Sequence, residues 1–528
     1  RLIAGFATVG GWTMASRILG FVRDVAIAAV LGAGAVAEAF FVAFTLPNLF
    51  RRFFAEGAFN TAFVPLFAKR IEAARGSGDL TQAKTFAEDA LALLVTVLLA
   101  VTLLAQLAMP WLVLGLASGL DATRFELATA FGRLVFPYIL LISVAALFSG
   151  VLNALDRFAA AAAAPVLLNV ILITMIGLAG TGWLAETLTL TGLDGVEGLH
   201  AGTMLCLGVI LAGIAQAWLV WRAATRAGIR LRLRLPRLTP EMKRLAVIAA
   251  PAALAGGVMQ INLVVGRQVA SYYEGAVGWL WYADRVYQLP LGVIGVAIGV
   301  VLLPSLSRRV RAGDPAGVHD ALNRAAEFAL TLTLPATAAL IAMPGLIVAV
   351  LFERGAFGAA DAAATALALA IYAAGLPAFV LQKVLQPAFF SREDTATPLR
   401  YALWCMLANV VIAVGGAALF GWLAAAAGAT VAGWLNLWLL WRGARAADPG
   451  LTVDARLARR LPRILAATLI MTALVVGLTT LTAVDPLGGV LALTAAVIGG
   501  LVVYGAAGLA LGAFAISDLR GAMRRGSA

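Results

Sequence analysis

Eight basic side chains stand within, or at the edges of, long apolar segments: Arg17, Arg23, Arg51, Arg52, Arg133, Arg267, Arg285 and Lys383. On an insertion scale, a charge at the centre of a spanning helix costs about 2.5–3.5 kcal/mol, so such residues line water, pair with a counter-charge, or reach an interface. The same segments carry only Asp24, Glu38, Glu56 and Asp284 against them, which leaves positive charge in surplus. Uncompensated positive charge in a cavity asks for an anion. Guanidinium suits phosphate because it can donate paired hydrogen bonds to the oxygens. The chemistry offered is recognition of an anion.

Spacing sorts these residues. The run Trp12 to Val25 reads WTMASRILGFVRDV. At about 100° per residue, Ser16 and Arg23 share one helix face and Arg17 and Asp24 share another. Either Arg17 and Asp24 pair, or the helix starts late and Arg17 is interfacial, or two arginines share one carboxylate on the wall of a water-filled cavity. Further on, Pro47 permits a bend, and Arg52 and Glu56 stand at i,i+4. That pair ties Arg52 down and leaves Arg51 open to an anion, or else it caps a helix end. In WLWYADRVYQ, from Trp279 to Gln288, the neighbours Asp284 and Arg285 point about 100° apart, so Arg285 is expected to face the cavity. Arg267 either adds to it or reaches the outer interface. Arg133 and Lys383 are expected to be structural or to snorkel.

The elements that position these groups follow from composition. Of 528 residues, 62% are hydrophobic and 12% charged, more apolar side chain than a soluble core can hide. Long apolar blocks such as Leu91 to Leu107 and Ile464 to Leu481 exclude the ten-residue alternation of a transmembrane barrel. Helices are the other structure that satisfies its own backbone in lipid. The fold class is therefore an all-α polytopic membrane protein with fourteen expected spans, among them 36 to 66, 125 to 154 and 326 to 352. Further spans follow the first block at once, so no removable signal peptide is expected.

With both termini on one side, the loops of that side carry 28 Lys and Arg, and those of the other only Arg124 and Arg354. The positive-inside rule then puts both termini in the cytoplasm. This asymmetry accounts for most of the net charge of +12 without nucleic acid. The basic segment Arg222 to Arg244 is a topology determinant touching anionic lipids, or a docking surface for partners.

An internal repeat is visible. Ala108-Met109-Pro110 recurs as Ala342-Met343-Pro344. Phe136-Pro137 aligns with Leu376-Pro377, Pro165 and Asn169 with Pro398 and Asn409, and Leu46-Pro47 with Leu289-Pro290, all at offsets of about 240. Two six-span units inserted with the same orientation are related by an axis along the membrane normal. The expected organisation is an N-terminal lobe (1–225), a basic linker (226–244), a C-terminal lobe (245–445), and an extra helix pair with a basic tail (446–528).

Catalysis finds little support. His200 and His319 read as loop residues, and there is no metal cluster, phosphate-binding glycine loop or carboxylate pair at useful spacing. Cys206 and Cys405 lie far apart in apolar segments and offer no disulfide framework. No cofactor or metal is expected.

Ser16-Arg17, Gly20-Phe21, Arg23-Asp24, Phe40 to Phe44, Leu46 to Leu49, Arg51-Arg52, Phe54 to Phe59, Phe63 to Pro65 and Tyr282 to Arg285 resemble the MurJ (MviN) lipid II flippase family, nearly end to end. This family belongs to the multidrug, oligosaccharidyl-lipid and polysaccharide exporter superfamily. The resemblance implies fourteen helices, in two six-helix lobes and a final pair grooved for an undecaprenyl tail. It also implies alternating access, residence in the bacterial inner membrane, and work as a monomer, with the cell-wall synthesis machinery as a possible partner. Arg17, Arg23, Arg51 and Arg285 match the family's essential arginines, with Ser16 and Asp24 beside them. Asn48, Arg52, Glu56 and Arg267 complete the candidate substrate-binding set. Where many members have aspartate before the Phe-Phe pair, this chain has Glu38. Some members have a sodium site with carboxylates on the seventh, eleventh and twelfth spans; here those spans lack Asp and Glu and offer only Gln260, Asn262, Asn409 and Asn436, which argues against sodium coupling. The rival readings are a polysaccharide-lipid or multidrug exporter of the same superfamily, or a membrane enzyme acting on a lipid-linked sugar. A cationic-drug exporter would favour an acidic cavity.

Overall fold

The structure, a computed structural model, describes residues 2–51, 60–77, 79–182, 195–481 and 486–514. The described residues form α1 (Leu2–Leu31), α2 (Ala35–Arg51), α3 (Asn60–Ser77), α4 (Thr81–Leu116), α5 (Ala122–Val135), α6 (Tyr138–Ala154), α7 (Ala159–Ala179), α8 (Leu199–Arg226) and α9 (Pro240–Ser271). They continue as α10 (Ala276–Arg311), α11 (Pro315–Ala342), α12 (Pro344–Phe352), α13 (Ala359–Phe390), α14 (Ala396–Phe420), α15 (Leu423–Ala447), α16 (Ala455–Leu481) and α17 (Pro486–Ala510). Among the described residues, ten helical segments are long and apolar enough to cross a membrane, which makes the chain a multi-pass membrane protein. Among the described residues the only β pairing is the isolated bridge Arg354–Phe357.

Several expected spans differ in detail. The stretch 36 to 66 holds α2 and α3, with 52–59 outside the described residues. The stretch 125 to 154 is broken at Phe136-Pro137 into α5 and α6, and 326 to 352 is broken at Met343 into α11 and α12. Pro137 caps α6 and Pro344 opens α12, positions where a missing N–H costs little. Arg124, counted in a loop, lies in the first turn of α5, because Asp121 caps that helix by accepting from the Arg124 amide at 2.9 Å. His200 and His319, also read as loop residues, lie in helices, as the second residue of α8 and the fifth of α11. Asp314 starts α11 by accepting from the Gly317 amide at 2.8 Å, and Thr239 starts α9 by accepting from Met242.

The chain divides into two compact units. The first runs to Gly278 and takes in Arg354–Phe357; the second holds Trp279–Glu353 and the chain from Gly358. In the first, α1 packs on α7, α7 on α8, α2 on α5, and α9 against α3 and α4. Phe40 stacks on Phe44 with centroids 5.6 Å apart, and Phe63 stacks between Phe67 and Phe86. The segment 354–357 docks on the end of α1, where the Ala356 amide donates to the Ala29 carbonyl at 2.9 Å. Two glycines permit this approach. Gly32 (φ +61°) and Gly355 (φ +59°) are left-handed, and a Cβ would stand 2.5 Å from the Ala356 oxygen at the first and 2.1 Å from the Ala29 oxygen at the second.

In the second unit, α15 packs on α13 and α14, α11 on α13 and α16, and α16 on α17. Glu327 of α11 is buried and joins three arginines: Arg324 of its own helix, and Arg456 (3.1 Å) and Arg460 of α16. Arg324 also meets Asp454, and the Asn323 side chain bridges to the Thr452 carbonyl and the Asp454 amide. Together these contacts fix the start of α16 on α11.

Candidate anion site

The first cluster lies between α1 and α7. Arg23 is 6% exposed and Asp24 1%. The guanidinium donates to Asp24 Oδ1 from Nε at 2.9 Å and from Nη2 at 2.7 Å. Its Nη1 donates to Asn169 Oδ1 at 2.9 Å. The Asn169 amide nitrogen donates in turn to the Ser16 carbonyl at 2.9 Å and to Ser16 Oγ at 3.3 Å, which turns its oxygen toward Arg23. Of the two arginines near Asp24, then, Arg23 holds the carboxylate, and Arg17 is exposed.

Arg267 of α9 is half-buried and donates from Nη1 to the Phe41 carbonyl of α2 at 3.3 Å, where the Thr45 hydroxyl also donates at 2.7 Å. Arg51 is the last residue of α2 and half-buried. Ten residues separate it from Phe41, about 15 Å along the helix. The Asn48 side chain donates back to the Phe44 carbonyl at 2.8 Å and so serves its own helix beside Pro47. Arg52 and Glu56, the expected i,i+4 pair, lie outside the described residues. In the second unit, Arg285 is half-buried, with its guanidinium 4.5 Å from the Trp281 ring centroid, a cation–π contact within its own helix. Gln288 donates to Asp284. Arg133 and Lys383 are exposed. The structure thus gathers Ser16, Arg23 and Asp24 into one network and places Arg267 against α2.

Two features escaped the sequence. Asn169, the partner of Arg23, is 146 positions away in the chain; its signal was the repeat that pairs it with Asn409, also buried. The second is a buried ion pair. Arg124 Nη1 donates to Glu38 Oε2 at 2.8 Å and its Nε to Asp121 Oδ2 at 2.7 Å, while Glu38 Oε1 accepts from the Val277 amide at 3.0 Å. Among the described residues no three His, Cys, Asp or Glu side chains converge on a metal-sized site.

The profile of the family described as lipid II flippase MurJ matches residues 27–495. The chain belongs to the MurJ lipid II flippase family. A probable lipid II flippase MurJ of Rhizobium meliloti is 45% identical over 100% of this chain and 97% of its own length. The lipid II flippase MurJ of Burkholderia cenocepacia is 35% identical over 77% of each chain. Among solved structures, a lipid II flippase MurJ in an inward closed conformation superposes with a TM-score of 0.75 at 22% identity, covering 94% of this chain and 97% of that one. An inward-facing multidrug resistance MATE transporter of the MOP superfamily gives 0.66 at 14% identity, over 85% and 99%. The fold is therefore common to MurJ proteins and MATE exporters, and membership of the MurJ family rests on the sequence.

Proposed function

We propose that this chain moves lipid II, the undecaprenyl-pyrophosphate-linked peptidoglycan precursor, from the inner to the outer leaflet of the bacterial cytoplasmic membrane. It acts as a transporter and makes or breaks no covalent bond. The observation that carries the reading is the family match over residues 27–495, joined to a relative alike over the full length of the chain.

In this reading fourteen spans form lobes at 1–225 and 245–445 that alternate access to a hydrated cationic cavity. The 446–528 pair guides the lipid tail, and both termini are cytoplasmic. Arg17, Arg51 and Arg285 bind the pyrophosphate by charge and by paired hydrogen bonds, and Arg267, Arg52, Asn48 and Glu56 complete the substrate-binding set. Arg23, held by Asp24 and Asn169, adds its charge through a fixed network that includes Ser16. A negative-inside potential favours outward passage of an anion by about 2.3 kcal/mol per charge per 100 mV, and the bound arginines offset part of this.

The test is growth of cells depleted of their own flippase. The wild-type chain restores growth, and Arg17→Ala, Arg51→Ala and Arg285→Ala lose it at equal membrane abundance. Full support by all three variants rejects the assignment.

A further inference from the structure

An exposed, apolar side of the α14–α15 hairpin holds a groove of about 580 Å³, within the range of small-molecule sites. Trp404, Leu407 and Val411 line it from α14, and Leu435 and Leu439 from α15. The spacing on α14 is i, i+3, i+7, which is one helix face, and Arg400 extends the same stripe one turn before Trp404. On α15, Arg442 extends the stripe of Leu435 and Leu439.

The two helices turn back at Gly421-Trp422, so Arg400 and Arg442 stand at the same level, each about 30 Å from the turn. A contact one residue along confirms this register: a Cβ on Gly443 would lie 2.4 Å from the Tyr401 hydroxyl. Both arginines are exposed, and among the described residues neither forms an ion pair. Arg442 lies 5.4 Å from the Trp438 ring centroid, and Asp394, which caps the Thr397 amide at 2.9 Å, interacts with Arg400 by charge without forming an ion pair.

We propose that this groove binds one anionic glycerophospholipid, with its phosphodiester between Arg400 and Arg442 and an acyl chain along Trp404, Leu407 and Val411. The dimensions agree. From Arg400 to Ile412, at the far end of the groove, is about 18 Å of helix, close to the depth of one leaflet in a core of about 30 Å. Charge selects the headgroup. Two guanidinium groups against the single nearby carboxylate of Asp394 leave a positive surplus, which favours a phosphodiester that carries no ammonium of its own. The site shares no residue with the candidate anion site and stands whether or not the chain moves lipid II.

The test uses the purified full chain in detergent, titrated with phosphatidylglycerol or phosphatidylcholine brominated on the acyl chain. The fluorescence quenching that disappears in Trp404→Phe reports the groove. Phosphatidylglycerol should half-saturate this component at a concentration at least fivefold below phosphatidylcholine. The doubly substituted Arg400→Gln, Arg442→Gln chain should remove the difference, and Arg400→Lys with Arg442→Lys should keep only part of it, since lysine retains charge without the paired donors. Should the glutamine variant fail to fold, 0.5 M salt on the wild type should shrink the preference for phosphatidylglycerol. Equal quenching by the two lipids, or a preference untouched by both the glutamine variant and salt, overturns the proposal.

Discussion

The Arg124 guanidinium and the Glu38 carboxylate meet at 2.8 Å with side-chain exposures of 7% and 0%, joining α5 to α2. Removing one partner of such a pair leaves a buried charge, a loss of about 3–5 kcal/mol, whereas replacing both with apolar groups is often neutral. Arg124→Met should therefore lower the melting temperature of the purified protein sharply, and adding Glu38→Leu should recover most of the loss. Additive losses in the double variant would contradict the pairing.

The network Asp24–Arg23–Asn169–Ser16 makes a prediction about charge. Arg23 already faces one carboxylate, so Asn169→Asp places a second beside it and cancels what an anion would meet. Growth support should be lost in Asn169→Asp and only reduced in Asn169→Ala, where one charge-assisted hydrogen bond of about 1.5–3 kcal/mol goes. Immunoblots of membranes check that both are present. Full support by Asn169→Asp would contradict an electrostatic role for Arg23.

Glu327 is the shared acceptor for arginines of α11 and α16. Glu327→Gln keeps the shape and removes the charge, so the start of α16 should loosen. Limited proteolysis between Asp448 and Asp454 should accelerate severalfold, with cleavage elsewhere unchanged. An unchanged cleavage rate would show that apolar packing alone holds α16.

The hydrogen bond shared with His319 (2.8 Å), together with that of Arg392 (3.0 Å), holds the Asp448 carboxyl below its ordinary value of 3.8 against the opposing effect of partial burial. A depressed folded-state value stabilises the fold above the unfolded pKa, and the contribution is lost as pH falls through the folded value. The wild type should therefore lose melting temperature below about pH 4, in excess of Asp448→Asn. Parallel curves for the two proteins would contradict the linkage.

How far the sequence carried depended on the range of the physics involved. Apolar runs placed most helices, since spanning lipid requires such runs. Helix breaks were harder to read: Pro137 and Pro344 open new helices, whereas Pro110 and Pro377, their partners in the repeat, sit inside α4 and α13 without ending them. A proline marks a lost donor, and packing decides whether the helix ends there. Arg124 is helical because Asp121 caps the turn that holds it, a signal carried by one side chain and not by an apolar run. Asn169 and Glu38 found partners 146 and 86 positions away, beyond the reach of any local pattern.

Gly32 and Gly355 illustrate the same limit, since nothing local marks two glycines over 300 positions apart as a joint. Gly355→Ala should cost more than the roughly 1–2 kcal/mol of a left-handed residue, because its Cβ also meets the Ala29 carbonyl. Thermal unfolding of this variant beside Gly358→Ala, where a Cβ meets open space, separates the effects. Equal losses in both would contradict the docking.

Reconstituted vesicles give the most direct test of the central claim. Lipid II with a fluorescent headgroup is placed in the membrane, and an impermeant quencher is added outside. The account predicts protein-dependent exchange between leaflets, at least tenfold slower in Arg17→Ala and Arg285→Ala. Exchange no faster than in protein-free vesicles, or an equal rate in the wild type and both variants, would contradict it.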